Sequence, residues 1–387
     1  MPFELAEERG SGQVPLYCYR PLTGEFIRQR MAGLRSLHSH APACRGLAES
    51  ESLDVYLSEH GVKPPAGRDA RCELALSVFL DSVFGDRTGF GFEPALFEAA
   101  YAELERALYE PRCTATVIAP VLGVALDPGT TELALGDGLS LIRGDALADA
   151  PAEAIWGDTE EPNLLALLAI DQERSDRPPV SVARTRFRGL LSALRLFERG
   201  GYSIGPIGWT RTDAGIWRST AIGVSGRPRL LTLVRAAQEE ELRAFCRLTA
   251  RSGPGGELGW ALSRFEMGCE RAAPSEALTD YLLALRALLE PEGSESGRLA
   301  QRLAAICARP EDRAAMTERL ARATTLERAV ITGVSPGGAR LDALVGELAE
   351  HLRAILRDAL CGHLNADLVA VADDLLAEAS ATPAGRR

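Results

Sequence analysis

Apolar residues recur at spacings of three and four along most of this chain, and a stretch near its middle switches to alternation. Residues 1–20 show neither pattern and read as a loose leader. Residues 24–59 are weakly helical, a Pro/Gly connection runs from Gly61 to Gly67, and Leu74 to Val83 reads as a helix. In a further helix, Glu93 to Glu110, the residues Leu96, Phe97, Tyr101, Leu104 and Leu108 share one face. The period then shortens. Thr114 to Leu126 is rich in Val, Ile and Thr, and Glu132 to Arg143 alternates Leu133, Leu135, Leu139 and Leu141. Asp127-Pro128-Gly129 between them is turn chemistry, so these two segments are expected to pair antiparallel. Helices are expected at 163–172 and at Ser181 to Arg199, where Phe187, Leu190, Leu191, Leu194 and Phe197 point inward and Gly200-Gly201 ends the run. Tyr202 to Trp209 and Gly215 to Gly223 form a second expected hairpin, and Gln238 to Ala250 a short helix.

The glycine run at 252–256 is the best boundary in the chain. Beyond it no strand pattern remains. Helices are expected at Glu257–Arg271, Pro274–Leu289, Glu295–Ala308, Glu311–Ile331, Ala339–Cys361 and Asn365–Ala379. One carries the stripe Leu258, Leu262, Phe265 and Cys269, another the stripe Leu344, Leu348, Leu352 and Ile355. Short loops between amphipathic helices predict antiparallel neighbours. The expected class is therefore α+β: a mixed α/β N-terminal module over 1–250, an all-α antiparallel helical bundle over 257–379 and a disordered tail over 380–387.

Composition narrows the function classes. The 387 residues carry a net charge of −11, which gives no general attraction for nucleic acid or anionic membranes. Lys63 is the one lysine among 43 basic residues, so the positive charge is almost wholly guanidinium. The eight cysteines are all more than twenty residues apart, which excludes C-x-x-C and zinc-ribbon spacings. Met1 to Gly12 carries Glu4, Glu7 and Glu8 and no apolar stretch, so no signal peptide is expected, and the cysteine usage fits a reducing cytoplasm. The longest apolar stretch, Thr114 to Leu126, holds Pro120 and is too short to cross about 30 Å of hydrocarbon.

Short motifs add little. His38, His40 and Cys44 lack a fourth ligand at a useful spacing, and a polar loop accounts for them. Gly333-Val334-Ser335-Pro336-Gly337 spells a nucleophile elbow, but that motif needs a strand before it and a helical pattern precedes it here. No dinucleotide or Walker phosphate loop occurs, and no cofactor or metal is implied. Asp373-Asp374 is an adjacent pair that reads as a solvated helix face.

Four blocks in the C-terminal half carry more information: Ala261–Phe265, Asp280–Pro291, Gly297–Ala305 and Leu326–Gly333. In order and spacing they resemble the ApeA-like branch of the HEPN superfamily (higher eukaryotes and prokaryotes nucleotide-binding) over residues 257–375. The resemblance implies a helical bundle, dimerisation, and in many members metal-independent RNase activity. That activity uses an Arg followed after four to six residues by a His at a helix end. The His moves protons at the 2′-hydroxyl and leaving oxygen, and the Arg stabilises phosphate charge. Here Glu327 stands at the Arg position and Thr332 at the His position. Glutamate has the wrong sign, and threonine has no useful pKa near neutrality. Arg328 is one residue late, about 100° around the helix. The resemblance therefore implies a degenerate RNase motif, with Arg357 and His363 as a displaced alternative and Arg35 and His40 as a weaker one. The reading is a non-catalytic binding or dimerisation protein, associated with RNA or a nucleotide, against a relocated-site RNase of phage-defence or toxin type. An enzyme seated in the N-terminal module is the third option.

Overall fold

A computed structural model describes residues 3–8, 16–21, 23–50, 52–84, 90–147, 149–156, 161–174, 176–213, 215–223, 231–251, 255–293, 296–334, 338–365 and 367–381. The expected loose leader is instead a pair of antiparallel strands, β1 (Phe3–Glu8) and β2 (Leu16–Pro21), with Glu4 opposite Arg20 in the register. Backbone pairing of this kind needs no apolar stripe, so the pattern alone did not reveal it.

Five helices follow: α1 (Thr23–Leu34), α2 (His40–Ala48), α3 (Leu53–Glu59), α4 (Arg68–Phe84) and α5 (Pro94–Tyr109). They pack around α4 on a small core of their own, built from Leu47, Leu53, Tyr56, Leu57, Cys72, Ala75, Leu104 and Ala107. The shared face expected on α5 is divided. Ala100, Leu104 and Ala107 are buried, whereas Phe97 and Tyr101 are exposed. Alanines let the backbone of α5 approach its neighbours closely, and the helix turns its bulkier rings outward.

The sheet strands are β3 (Arg112–Leu122), β5 (Glu132–Gly136), β6 (Leu139–Arg143), β7 (Leu164–Glu173), β8 (Ser203–Ile204), β9 (Ile207–Thr212) and β10 (Arg218–Ala221), joined by short β4 (Val124–Leu126) and the four-residue α6 (Ala152–Ile155). The order is β10-β9-β3-β7-β6-β5, with β8 also on β3, and every pairing is antiparallel. Outside this sheet, β11 (Thr232–Val234) pairs parallel with β4.

Two expectations fail here. The helix expected at 163–172 is strand β7, which is central and covered on both faces. Its run Leu164 to Ile170 therefore lacks the alternation of a half-buried strand. The pairing expected between 114–126 and 132–143 does not form either. Residues 132–143 fold on themselves as β5–β6, turning at Asp137 (φ 49°) and Gly138 (φ 74°), an Asp-Gly signature of tight hairpins. A Cβ at Gly138 would stand 2.1 Å from the Ala169 carbonyl oxygen, so only glycine fits. β3 is freed to pair with β7 and β9. The second expected hairpin is present as β9–β10.

One helix joins the two halves. α7 (Val180–Phe197) lies on the sheet with Phe187, Leu190, Leu191 and Leu194 buried, and it touches the bundle on its other side. After α8 (Glu239–Arg251) the bundle comprises α9 (Gly256–Glu270), α10 (Pro274–Leu289), α11 (Leu299–Cys307), α12 (Arg313–Ile331), α13 (Ala339–Leu360) and α14 (Leu368–Ala381). Helix α10 is its axis: ten of its residues are buried, and it packs against α9, α11, α12, α13 and α14. α14 carries helix through Ala381, beyond the point where the tail was expected to begin, and the rest of that tail lies outside the described residues. The buried apolar cluster runs without a break from Val117 to Leu368, so the glycine run divides the sequence but not the core.

Sheet and bundle share one apolar cluster and should unfold together. Chemical denaturation of a Trp260→Phe variant followed by tryptophan fluorescence, which then samples Trp156, Trp209 and Trp217 in the sheet half, should coincide with helix loss from the bundle followed by circular dichroism. Phe187→Ala should lower stability by about 3–5 kcal/mol and move both signals together. Two separated transitions would contradict the continuous core.

Candidate functional site

The two positions marked by the resemblance lie on the last turns of α12. Glu327 is 2% exposed, and Arg328 beside it is exposed, as one helical step requires. The Glu327 carboxylate accepts both terminal nitrogens of Arg286 on α10, Nη1 to Oε1 at 2.8 Å and Nη2 to Oε2. The Glu327 hydrogen bond holds the Arg286 guanidinium above its ordinary pKa, against the opposing effect of burial. The Nε of Arg286 stands 4.0 Å from Oε2 of Glu290, which is buried too. Oε1 of Glu290 in turn accepts from Ser296 Oγ at 2.7 Å and from the backbone N–H groups of Arg298 and Leu299 at 3.0 and 3.4 Å. These are orphan donors at the start of α11, which suit a carboxylate. Glu327, Arg286 and Glu290 thus tie three helices together.

Thr332 is exposed and caps α12. Its hydroxyl donates to the Ala329 carbonyl at 2.9 Å, and Gly333 (φ 85°) closes the helix while Val334 N–H bonds the Ala329 carbonyl at 2.9 Å. Ser335 of the elbow spelling lies outside the described residues, and the element before it is helix α12.

The displaced pair sits at the end of α13. Arg357 is half-exposed with its Nε 3.7 Å from Asp358 Oδ1, and His363 is exposed past the helix, its backbone N–H bonded to the Asp358 carbonyl at 2.8 Å. No hydrogen bond or ion pair joins the two side chains. Arg35 is spent on Glu73 through a two-bond contact of 2.7 and 2.6 Å, and His40 stands 3.8 Å from the Cys44 sulfur. Among the described residues no group of three His, Cys, Asp or Glu side chains could hold a metal ion.

A cleft of about 310 Å³ lies elsewhere, between α3 and the β9–β10 hairpin. Arg174 is among its lining residues and is buried. It pairs with Glu59 and Asp213 at 2.6 Å each and donates to the carbonyls of Glu110 and Arg112 at 3.0 and 3.4 Å. Burial pushes the Glu59 carboxyl up despite Arg174. This arrangement fastens α3 to the sheet and uses four of the five N–H donors of Arg174. A second cleft, beside the β5–β6 turn, reaches Cys246, whose thiol burial pushes up to about 12. Such a thiol is a poor nucleophile.

Sequence reasoning also missed the arginine centre at Arg302. Asp373, read as solvated, accepts from Nε and Nη2 of Arg302 at 2.9 Å each, while Asp374 alone is exposed. Arg302 is 1% exposed and also binds Glu292 and the Leu289 carbonyl. Its place three residues after Leu299 and one before Leu303, on the apolar face of α11, was the available signal.

Two outcomes follow. Glu327→Gln should cost about 1.5–3 kcal/mol, because Arg286 loses its two-bond carboxylate partner and keeps only Glu290 at 4.0 Å. Glu327→Arg should be worse, since it faces one guanidinium with another. Denaturant melts of both variants check this, and a neutral effect would show that the pair holds nothing. The Arg302 centre predicts a pH dependence. Arg302 holds Glu292 down to about 2 and Asp373 below the usual carboxylate range. Groups with depressed folded pKa values stabilise above their unfolded pKa and stop doing so as pH falls through the folded one. The stability gap between wild type and Arg302→Met should therefore shrink between about pH 5 and about pH 2. A gap that stays constant would remove the clamp.

No family model, curated protein or solved structure matches this chain.

Proposed function

We propose that this protein is a non-catalytic binding and dimerisation protein with a HEPN-like, ApeA-like bundle, associated with RNA or a nucleotide. The observation that carries the reading is the Glu327–Arg286 pair. The position where the resemblance expects a phosphate-stabilising Arg holds a buried carboxylate already committed to a neighbouring helix. Thr332, at the place of the His, serves as a helix cap. The net charge of −11 supports no broad electrostatic footprint, so RNA or nucleotide would be held by a local contact. Self-association would use what the core leaves outside. Leu348, Leu352, Ile355 and Phe265 are buried within the chain, whereas Trp260 and Met267 remain exposed on α9 with Arg264 stacked on Trp260 at 5.0 Å. No helix among the described residues is long and apolar enough to cross a membrane. A cytoplasmic setting is part of the same proposal.

The second reading is a metal-independent RNase using Arg357 and His363. Both stand at a helix end, and neither is committed to a buried pair. One preparation tests the two. Incubated with mixed RNA in EDTA, the protein should leave the RNA intact, and in sedimentation it should run as a dimer that Trp260→Glu converts to monomer. Cleavage abolished by His363→Ala or Arg357→Ala would establish the second reading instead. A monomer at all concentrations would remove the dimerisation role.

A further inference from the structure

The segment of helices α1–α5 carries a set of aromatic side chains, several of them at the surface. Six of the eleven phenylalanines lie between Phe26 and Phe97. Their rings form two groups: Phe26–Phe90 at 5.0 Å with Phe84–Phe90 at 5.8 Å, and Phe79–Phe97 at 5.6 Å with Phe92–Phe97 at 5.7 Å and Phe97–Tyr101 stacked at 5.9 Å. The outer rings are open to solvent, with Phe92 64%, Phe97 36%, Tyr101 46% and Tyr109 72% exposed. Scattered exposed apolar residues are ordinary, but a contiguous aromatic surface marks a contact.

Charge selects among occupants. The stretch Glu93 to Glu110 holds five glutamates against one arginine, Arg106, whose Nε folds back on the Ala102 carbonyl at 3.3 Å. Glu98 and Glu105 lie on the exposed side of α5 beside the rings, and Glu105 raises the Tyr101 phenol. Phosphates of nucleic acid or anionic lipid would be repelled here. A second copy docking symmetrically would bring the same glutamates face to face. A cation is drawn, and the surface already shows how one is held, since Arg30 stacks its guanidinium over Phe26 at 5.1 Å. We propose that the face formed by Phe92, Phe97, Tyr101 and Tyr109, with Glu98 and Glu105, docks an arginine-bearing cationic segment of a partner protein. The guanidinium groups would stack on the rings while the glutamates neutralise them. This inference stands apart from the reading of α12, which lies in the other half of the chain.

The test uses the full chain and a fluorescent peptide of alternating arginine and leucine, with lysine and glutamate counterparts. Fluorescence anisotropy should show saturable binding of the arginine peptide, several-fold weaker binding of the lysine peptide, and none of the glutamate peptide. The double variant Phe92→Ser/Tyr101→Ser should weaken the arginine peptide about tenfold, because stacking contributes only modestly per exposed ring. Net charge is unchanged in this variant, so the loss reports the rings and not the general acidity of the chain. Tyr109→Ser, at the far end of the face, should weaken binding less and serves as a second variant; melting curves of all three proteins should coincide. Unchanged affinity in the double variant would overturn the proposal. So would a concentration-dependent dimer that the double variant abolishes, or binding to neutral phosphatidylcholine vesicles that it abolishes, since those assign the face to another copy or to lipid.

Discussion

A guanidinium keeps its proton in any protein environment, so each arginine drawn inward must bring acceptors with it. The rest of this structure depends on that constraint. Arg174 joins α3 to the sheet, Arg195 joins α7 to Glu270 of α9, and Arg353 of α13 donates to the Arg195 carbonyl at 2.7 Å. Arg302 joins α11 to α14, and Arg286 joins α10 to α12. Each stands at a joint between elements. Desolvation offsets much of the attraction in such pairs, so the apolar core supplies most of the stability. The pairs contribute geometry: a helix rotated by one residue would leave a buried charge without its partner.

The helices were legible because amphipathic spacing is a local property. α7 and α13 bury most of the residues their periodicity marks, whereas on α9 Phe265 is buried and Leu258, Leu262 and Cys269 pack half-buried against the same core. The strands were less legible, for two separate reasons. β7 is covered on both faces, so its apolar run carries no period that tells strand from helix. The β5–β6 hairpin hides its turn at Asp137-Gly138 inside what reads as one alternating strand, while the louder Asp127-Pro128-Gly129 turn joins strands that do not pair. On α5 the spacing was right and the choice of face was not. Ala100 and Ala107 pack inward beside Leu104, and only the shapes of α3 and α4 decide that the rings of Phe97 and Tyr101 stay out.

The candidate site divides in the same way. That Glu327 stands where the resemblance expects an Arg is legible in the sequence. What Glu327 does is not, because its partner Arg286 is 41 residues upstream on another helix. The same holds for Asp373, whose partner Arg302 is 71 residues away. A carboxylate's role is set by the nearest cation in space, and no spacing rule along the chain reports it.

The unbroken core has a consequence for how such a chain can change over generations. A glycine-rich junction is where recombination would be expected to swap one half for another. Here α7 shows one side to the sheet and the other to the bundle, and Arg195 and Arg353 cross between them. A foreign N-terminal half would meet the bundle with the wrong apolar relief and an arginine lacking its carbonyl. The two halves are bound to drift together, residue by residue across α7, as one inherited unit.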